Sequence, residues 1–187
     1  MGIKVVFLDR DGVINKYPGD TKYVTSLKNF RLLPGVRSAL RKLSRGGYKM
    51  FVISNQAGVS KKIYSQRTLD IITNYMVSEL KKSNAVIDGV YYCIHRSEDN
   101  CPCRKPKDGL IKKALKENKI PRLALKNAFF VGDSVMDLMA AKQAGCKSIL
   151  VFSGKEKPAN SANWETRPDF TAENLPGAVK IILKNRS

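Results

Sequence analysis

Apolar and polar positions along the chain follow two periods, and the changes between them mark out its elements. Val5-Val6-Phe7-Leu8 is an unbroken apolar run rich in β-branched and aromatic residues, the pattern of a short strand buried on both faces. Tyr48–Ile53, Asp88–Cys93, Asn127–Val131 and Ser148–Phe152 read in the same way. Between them the apolar residues fall at helical spacing. Val36, Leu40 and Leu43 share one face of a helix over about 36–45, introduced by Pro34-Gly35 and ended by Gly46-Gly47. Leu69, Ile72, Met76 and Leu80 do the same over about 66–82, and further helices are predicted near 108–118, over 135–144 up to Gly145, and over Leu175–Leu183. Residues 16–33, with the turn signal Pro18-Gly19-Asp20, and residues 153–168 carry no period and are predicted as loops.

Strands that alternate with helices imply a parallel sheet covered on both faces and joined by right-handed crossovers, an α/β doubly wound fold. There is no repeat and no linker, and 187 residues suit one domain over 1–187. Only 38 positions separate Gly12 from Met50, and a loop, a helix and a strand already fill them, so no separate cap domain is expected.

Composition changes this picture little, and charge changes it more. The hydrophobic fraction of 43% and charged fraction of 27% are those of an ordinary soluble protein. No apolar run is long enough to span a bilayer. Val5–Leu8 is too short for a signal peptide and is followed by acids. A cytoplasmic monomer without membrane contact is expected. The net charge of +18 stands out. Its lysines and arginines are spread over predicted exposed helix faces, for example Arg37, Arg41, Lys42 and Arg45, then Lys112, Lys113, Lys116 and Lys119. A solvated basic surface accounts for them more simply than a function does; the functional reading is attraction of anionic substrates or of nucleic acid, and charge alone does not choose between those. A single histidine argues against Ser-His-Asp, Cys-His and phosphohistidine mechanisms, which leaves acid–base work to carboxylates, lysine or tyrosine.

The candidate chemistry sits where the strands stop. Strand one ends at Asp9-Arg-Asp11-Gly12, and strand two runs into Ser54-Asn55-Gln56. Strand three feeds Cys93-Ile-His95, then Cys101-Pro-Cys103, then Arg104-Lys105-Pro106; strand four ends in Gly132-Asp133-Ser134, with Asp137 four residues on. In an open α/β sheet the crevice lies beyond the carboxyl ends of the strands, so these pieces can converge there. Two acids separated by one residue repel unless a cation or a shared proton relieves them. Taken singly, each piece has a plainer reading as a turn, a surface lysine or a helix cap. Together they form a phosphoryl-transfer set. Asp9 can act as a carboxylate nucleophile, and Asp11 can protonate the leaving oxygen and then activate water. Asp9, Asp133 and the backbone carbonyl of Asp11 would hold one Mg²⁺. Ser54, the Asn55-Gln56 amides and Lys105 would bind the phosphoryl oxygens. Asp137 would share the side of the helix start with Asp133 and face the same crevice in a supporting role. The three thiols of Cys93, Cys101 and Cys103 with the His95 imidazole supply a closed tetrahedral set for a structural Zn²⁺, which would fix Arg104 and Lys105 beside it. Cys146 lies outside the cluster and is expected in the core.

The motifs Asp9-Arg-Asp11-Gly, Ser54-Asn55-Gln, Arg104-Lys105-Pro and Gly132-Asp133-x-x-x-Asp137 resemble, over about residues 3–152, the haloacid dehalogenase superfamily of phosphohydrolases. The zinc loop 93–103 is similar to that of a small, nearly capless branch holding the heptose-bisphosphate and histidinol-phosphate phosphatases. This resemblance implies a Rossmann-like fold, with Asp9 as nucleophile, Asp11 as acid/base, Lys105 on the phosphate and Arg104 in substrate recognition. The segments Asp11-Gly-Val-Ile-Asn15, Tyr23-Val24 and Phe30-x-Leu-Leu-Pro34-Gly35 look closer to the heptose-bisphosphate side. The five residues between His95 and Cys101 are shared with the histidinol-phosphate side. The expected substrate is a small phosphorylated sugar, first of all D-glycero-D-manno-heptose 1,7-bisphosphate. Its second phosphate would suit a rim carrying Lys16, Lys22, Lys61, Lys62, Arg96 and Arg104. A polynucleotide 3′-phosphatase is favoured by the charge, but no basic stretch is interleaved with aromatics for strand binding. A non-catalytic, zinc-stabilised nucleic-acid-binding module is disfavoured by the intact acidic set, so nucleic acid is not the preferred partner.

Overall fold

The computed structural model describes residues 2–185. Six strands, β1 (Lys4–Leu8), β2 (Tyr48–Asn55), β3 (Gly89–Cys93), β4 (Phe129–Gly132), β5 (Lys147–Val151) and β6 (Phe170–Ala172), form one sheet in the order β3-β2-β1-β4-β5-β6. Every pairing is parallel. The helices are α1 (Val36–Arg45), α2 (Gln66–Lys81), α3 (Gly109–Glu117), α4 (Val135–Ala144) and α5 (Leu175–Lys184).

Alternation within β1 divides the interior in two. Val6 and Leu8 point into a core shared with Met50, Val52 and Val131 and roofed by the apolar faces of α1, α2 and α5. Val5 and Phe7 point the other way, toward Phe51, Phe130 and residues of α3 and α4. The Phe7 ring lies 6.0 Å from Phe51 and 6.2 Å from Phe130, so three adjacent strands are joined by aromatic contact on that face. Because Val5–Leu8 meets side chains above and below, the run has no polar alternation, as a doubly covered strand requires.

The chain winds outward from β1 to β2 and β3, then returns to place β4 on the other side of β1. The strand order therefore reverses between β1 and β4, and the carboxyl ends of these two strands open a crevice there. Among the described residues no folded lid is inserted above it. The stretch between β1 and α1 holds a single 3₁₀ turn at Leu27–Asn29 and folds back onto the loop after β1 through Lys16 N to Arg31 O (2.8 Å) and Leu33 N to Ile14 O (3.0 Å).

The five predicted strands and five helices are present, with ends moved by one or two residues. Asp88 stands outside β3 because its carboxylate binds Lys49 Nζ (2.7 Å) and Met50 N (2.8 Å) instead. Residues 122–127 coil into a 3₁₀ turn that delays β4 to Phe129. β6 was not expected: three residues at the sheet edge, none fully buried, are too short to show a period. Among the described residues no helix is long and apolar enough to cross a membrane.

Candidate active site

The chain leaves β1 at Asp9, whose N–H still pairs with Val131 O (2.9 Å), and then turns sharply. Gly12 makes the turn in the left-handed region (φ +81°), with its N–H on Asn15 O at 2.8 Å. A side chain at Gly12, or at Gly154 opposite, would run into the Asp133 carboxylate. The two loops are tied together by Ser153 Oγ, which donates to Gly12 O (2.6 Å). Both glycines are thus spacers that let Asp133 come close to the end of β1.

Lys105 is the internal cation of this crevice. Its buried ammonium lies 3.0 Å from Asp9 Oδ1 and 2.6 Å from Asp137 Oδ1, and it donates to Ile53 O at 3.0 Å. Asp137 is fully buried behind Lys105 and does not reach the open crevice as the helical spacing suggested. Its Oδ2 accepts from Ser134 N (3.0 Å) and Oγ (2.6 Å), capping α4 while Oδ1 holds the lysine. Asp133 Oδ2 accepts from Lys155 N (2.8 Å), and among the described residues its other oxygen takes no hydrogen bond.

Carboxylate oxygens of Asp9, Asp133 and Asp137 all lie within 4.8 Å of one another. Burial pushes the Asp9 carboxyl up to about 6; Lys105 opposes that rise, and Asp137 and Asp11 add to it. Burial, then Asp9 and Asp137, hold Asp133 well above the ordinary carboxylate range. Lys105 is also shifted upward, but by charge and not by burial: burial disfavours its charged form, and Asp137 and Asp9 more than offset this and hold it firmly protonated. Several hard oxygen donors facing one ammonium leave a surplus of negative charge, and that donor set fits a small divalent cation such as Mg²⁺.

Asp11 is held differently. Arg10 Nη2 contacts both its oxygens (2.9 and 3.2 Å), Asn15 Nδ2 donates to Oδ1 (2.7 Å) and Gln56 Nε2 to Oδ2 (2.9 Å). Gln56 also reaches Ser54 Oγ (3.1 Å) and is steadied by Tyr64 OH on its Oε1 (2.7 Å). Ser54, Asn55 and Gln56, expected on the phosphate with Lys105, all line the crevice with their side chains engaged, and the Gln56 N–H is not available there because it pairs with Cys93 O (2.7 Å). Asn55 pairs both ways with the Lys105 backbone, Nδ2 to O at 3.0 Å and Oδ1 from N at 3.1 Å. Sequence reasoning missed Arg10 and Asn15. The available signal was a polar residue closing the apolar Val13-Ile14 step, and Asn15 is fully buried.

Cys93 ends β3, and the loop after it brings Cys101 and Cys103 back. The Sγ atoms of Cys93 and Cys101 are 3.6 Å apart, those of Cys93 and Cys103 3.2 Å, and those of Cys101 and Cys103 3.3 Å. His95 Nδ1 lies 3.2 Å from Cys103 Sγ and 3.7 Å from Cys93 Sγ. All the cysteines are free thiols, and four convergent soft ligands fit a closed tetrahedral Zn²⁺ site. The loop is stitched to the β2 loop by Gln56 N on Cys93 O (2.7 Å), Ser60 Oγ on Ile94 O (2.6 Å) and Arg96 Nη2 on Ser60 O (3.0 Å). Cys146, away from the cluster, is buried with its thiol on Ala141 O.

The resulting open cleft of about 270 Å³ is lined by Asp9, Asp11, Ser54, Arg104, Lys105 and Asp133. Its outer wall comes from Tyr17, Lys22 and Tyr23 on one loop and Lys155 on another.

Comparison with known proteins agrees with this geometry. A family model described as HAD-hydrolase-like matches residues 102–178. The D-glycero-beta-D-manno-heptose-1,7-bisphosphate 7-phosphatase of Haemophilus ducreyi is 35% identical over 97% of this chain and all of its own length. The protein of the same name from Haemophilus influenzae is 38% identical over 97% of each chain. The crystal structure of a D,D-heptose 1,7-bisphosphate phosphatase from B. bronchiseptica, complexed with magnesium and phosphate, superposes with a TM-score of 0.89 at 29% identity, covering 98% of this chain and 100% of that one. With paired acids at the end of β1, a buried lysine from beyond β3, and relatives of this identity along almost its whole length, the chain belongs to the haloacid dehalogenase-like hydrolases, in the family of these heptose-bisphosphate phosphatases.

Proposed function

We propose that the chain is a Mg²⁺-dependent phosphatase that takes D-glycero-D-manno-heptose 1,7-bisphosphate and removes one phosphate, the one at position 7 as in the names of its relatives. The observation that carries this reading is the Asp9 carboxylate at the reversal of strand order, 3.0 Å from a buried lysine and with Asp133 beside it.

Asp9 is the nucleophile. Its carboxylate attacks phosphorus, the bond to the sugar oxygen breaks, and an aspartyl phosphate forms. Asp11, turned toward the same cleft, gives a proton to the departing oxygen; it then takes one from the water that hydrolyses the acyl phosphate, restoring Asp9. Lys105 and Ser54 lie where the equatorial phosphoryl oxygens gather charge. Asp137 keeps Lys105 in place from behind, and Asn55 fixes the backbone of the same lysine. Asp9, Asp133 and the backbone carbonyl of Asp11 would hold the Mg²⁺, which supplies the positive charge that lets a dianion approach a carboxylate. Cys93, His95, Cys101 and Cys103 would hold Zn²⁺ as a structural tie for the loop that carries Arg104 and Lys105.

The open cleft suits a small substrate gripped at both ends. Arg104, on its rim, binds the second phosphate, for which a planar guanidinium offers two parallel donors. The test follows the two phosphorus nuclei of the bisphosphate by ³¹P NMR with Mg²⁺ present. The 7-phosphate signal should be replaced by inorganic phosphate while the 1-phosphate persists. Loss of the 1-phosphate first, or no hydrolysis, would contradict the assignment.

A further inference from the structure

Arg10 stands between the two acids in sequence, yet it turns away from the cleft and is only 1% exposed. Its guanidinium lies under Asp11, with Nη2 on both carboxylate oxygens and Cζ 5.6 Å from the Tyr92 ring centroid. Nε and Nη1 are buried and have no hydrogen-bond partner. A buried guanidinium with two idle nitrogens, carrying three N–H donors, is costly, and only a strong charge partner offsets that cost. Here that partner is Asp11. The local charges say the same: Asp9, Asp11, Asp133 and Asp137 bring four carboxylates together, and the only buried ammonium or guanidinium groups against them in the described residues are Lys105 and Arg10.

We propose that Arg10 is the positioning residue for proton transfer: with Asn15 and Gln56 it fixes the Asp11 carboxylate facing the leaving oxygen, and it supplies the second internal positive charge of the site. This rests on the role given to Asp11 above. Three donors approach Asp11 from three residues, so the carboxylate has a single orientation. Arg10 is the one of the three that brings charge, and its Nη2 bridges both carboxylate oxygens. The Tyr92 ring, steadied by Thr73 Oγ1 on its hydroxyl (3.1 Å), gives the guanidinium a floor that keeps it in register.

A residue that acts through Asp11 has a different signature from one that merely supports the fold. p-Nitrophenolate departs without a proton, whereas a sugar alkoxide does not. With Arg10→Met, the first-turnover burst of p-nitrophenolate should stay within about threefold of wild type, with the later turnovers slowed because Asp11 must still activate water. The first turnover of the heptose bisphosphate should fall at least tenfold, with KM little changed. Arg10→Lys, which keeps the charge but not the planar group over Tyr92, should show the same split to a smaller degree. Equal loss on both substrates in both variants would overturn the proposal, since it marks general damage. Absence of any turnover in wild type would instead sink the phosphatase reading itself. A second measurement needs no activity. Asp11→Asn leaves Arg10 buried without its partner, so it should lower the melting temperature more than the double change Arg10→Met with Asp11→Asn. A double variant that melts lower than Asp11→Asn would contradict the charge pairing.

Discussion

In the proposed mechanism Asp9 is the nucleophile, and its carboxyl also has the clearest pH dependence. Its folded carboxyl is raised to about 6 from 3.8, first by burial. The folded state therefore holds that proton more tightly than the unfolded chain, so this group's contribution to stability is full below about pH 4 and is lost as pH rises through 6. A divalent cation competes with the same proton. Mg²⁺ should accordingly raise the melting temperature more at pH 7.5 than at pH 5, which calorimetry at both pH values would check; an equal shift would mean that Asp9 is not a ligand. Asp9→Asn should abolish turnover with the circular dichroism spectrum unchanged. Asp11→Asn should slow turnover by roughly 10²–10⁴-fold, the range for a lost general acid–base group.

Two loops do most of the placing. In the loop after β5, Gly154 packs against the Asp133 carboxylate with no room for a side chain. Gly154→Ala should displace Asp133 and weaken Mg²⁺ binding by roughly 10–100-fold, as expected of groups that orient a ligand; titration calorimetry would measure it. The cysteine loop anchors Arg104 through Nη1 on His95 O (3.3 Å), while Asn55 at the end of β2 holds the Lys105 backbone. Cys101→Ser should therefore lower zinc content and melting temperature and raise KM, while a burst of product still forms on Asp9; unchanged zinc content by metal analysis would refute the ligand set. These elements differ in how far they could be read from sequence. Long elements such as α2, with four apolar residues in register, and fully apolar β1 announce themselves by period. The acid pair, the cysteine spacing and Arg104-Lys105-Pro106 do so by residue type. What stayed hidden depends on tertiary approach: Asp137 turning inward to Lys105, Asn55 binding the Lys105 backbone 50 residues away, Arg10 turning under Asp11, and the three-residue edge strand β6.

For the molecule as a whole, the doubly wound sheet brings loops from β1, β2, β3, β4 and β5 to one open cleft, and among the described residues no lid excludes water or measures the substrate. Selection then falls on cations at the cleft wall, where Arg104, Lys22 and Lys155 surround a site that must accept a phosphate. The net charge of +18 adds a long-range pull on anions. Raising salt from 50 to 500 mM should cut kcat/KM for the bisphosphate several-fold and for a monophosphate ester less, because screening acts on each substrate charge. The most direct test of heptose-bisphosphate hydrolysis at this cleft is kcat/KM for three substrates under one Mg²⁺-containing condition: D-glycero-D-manno-heptose 1,7-bisphosphate, histidinol phosphate and a 3′-phosphorylated oligonucleotide. The expected result is a preference for the heptose bisphosphate of at least tenfold that collapses in Arg104→Ala; a preference for either of the other two would contradict it.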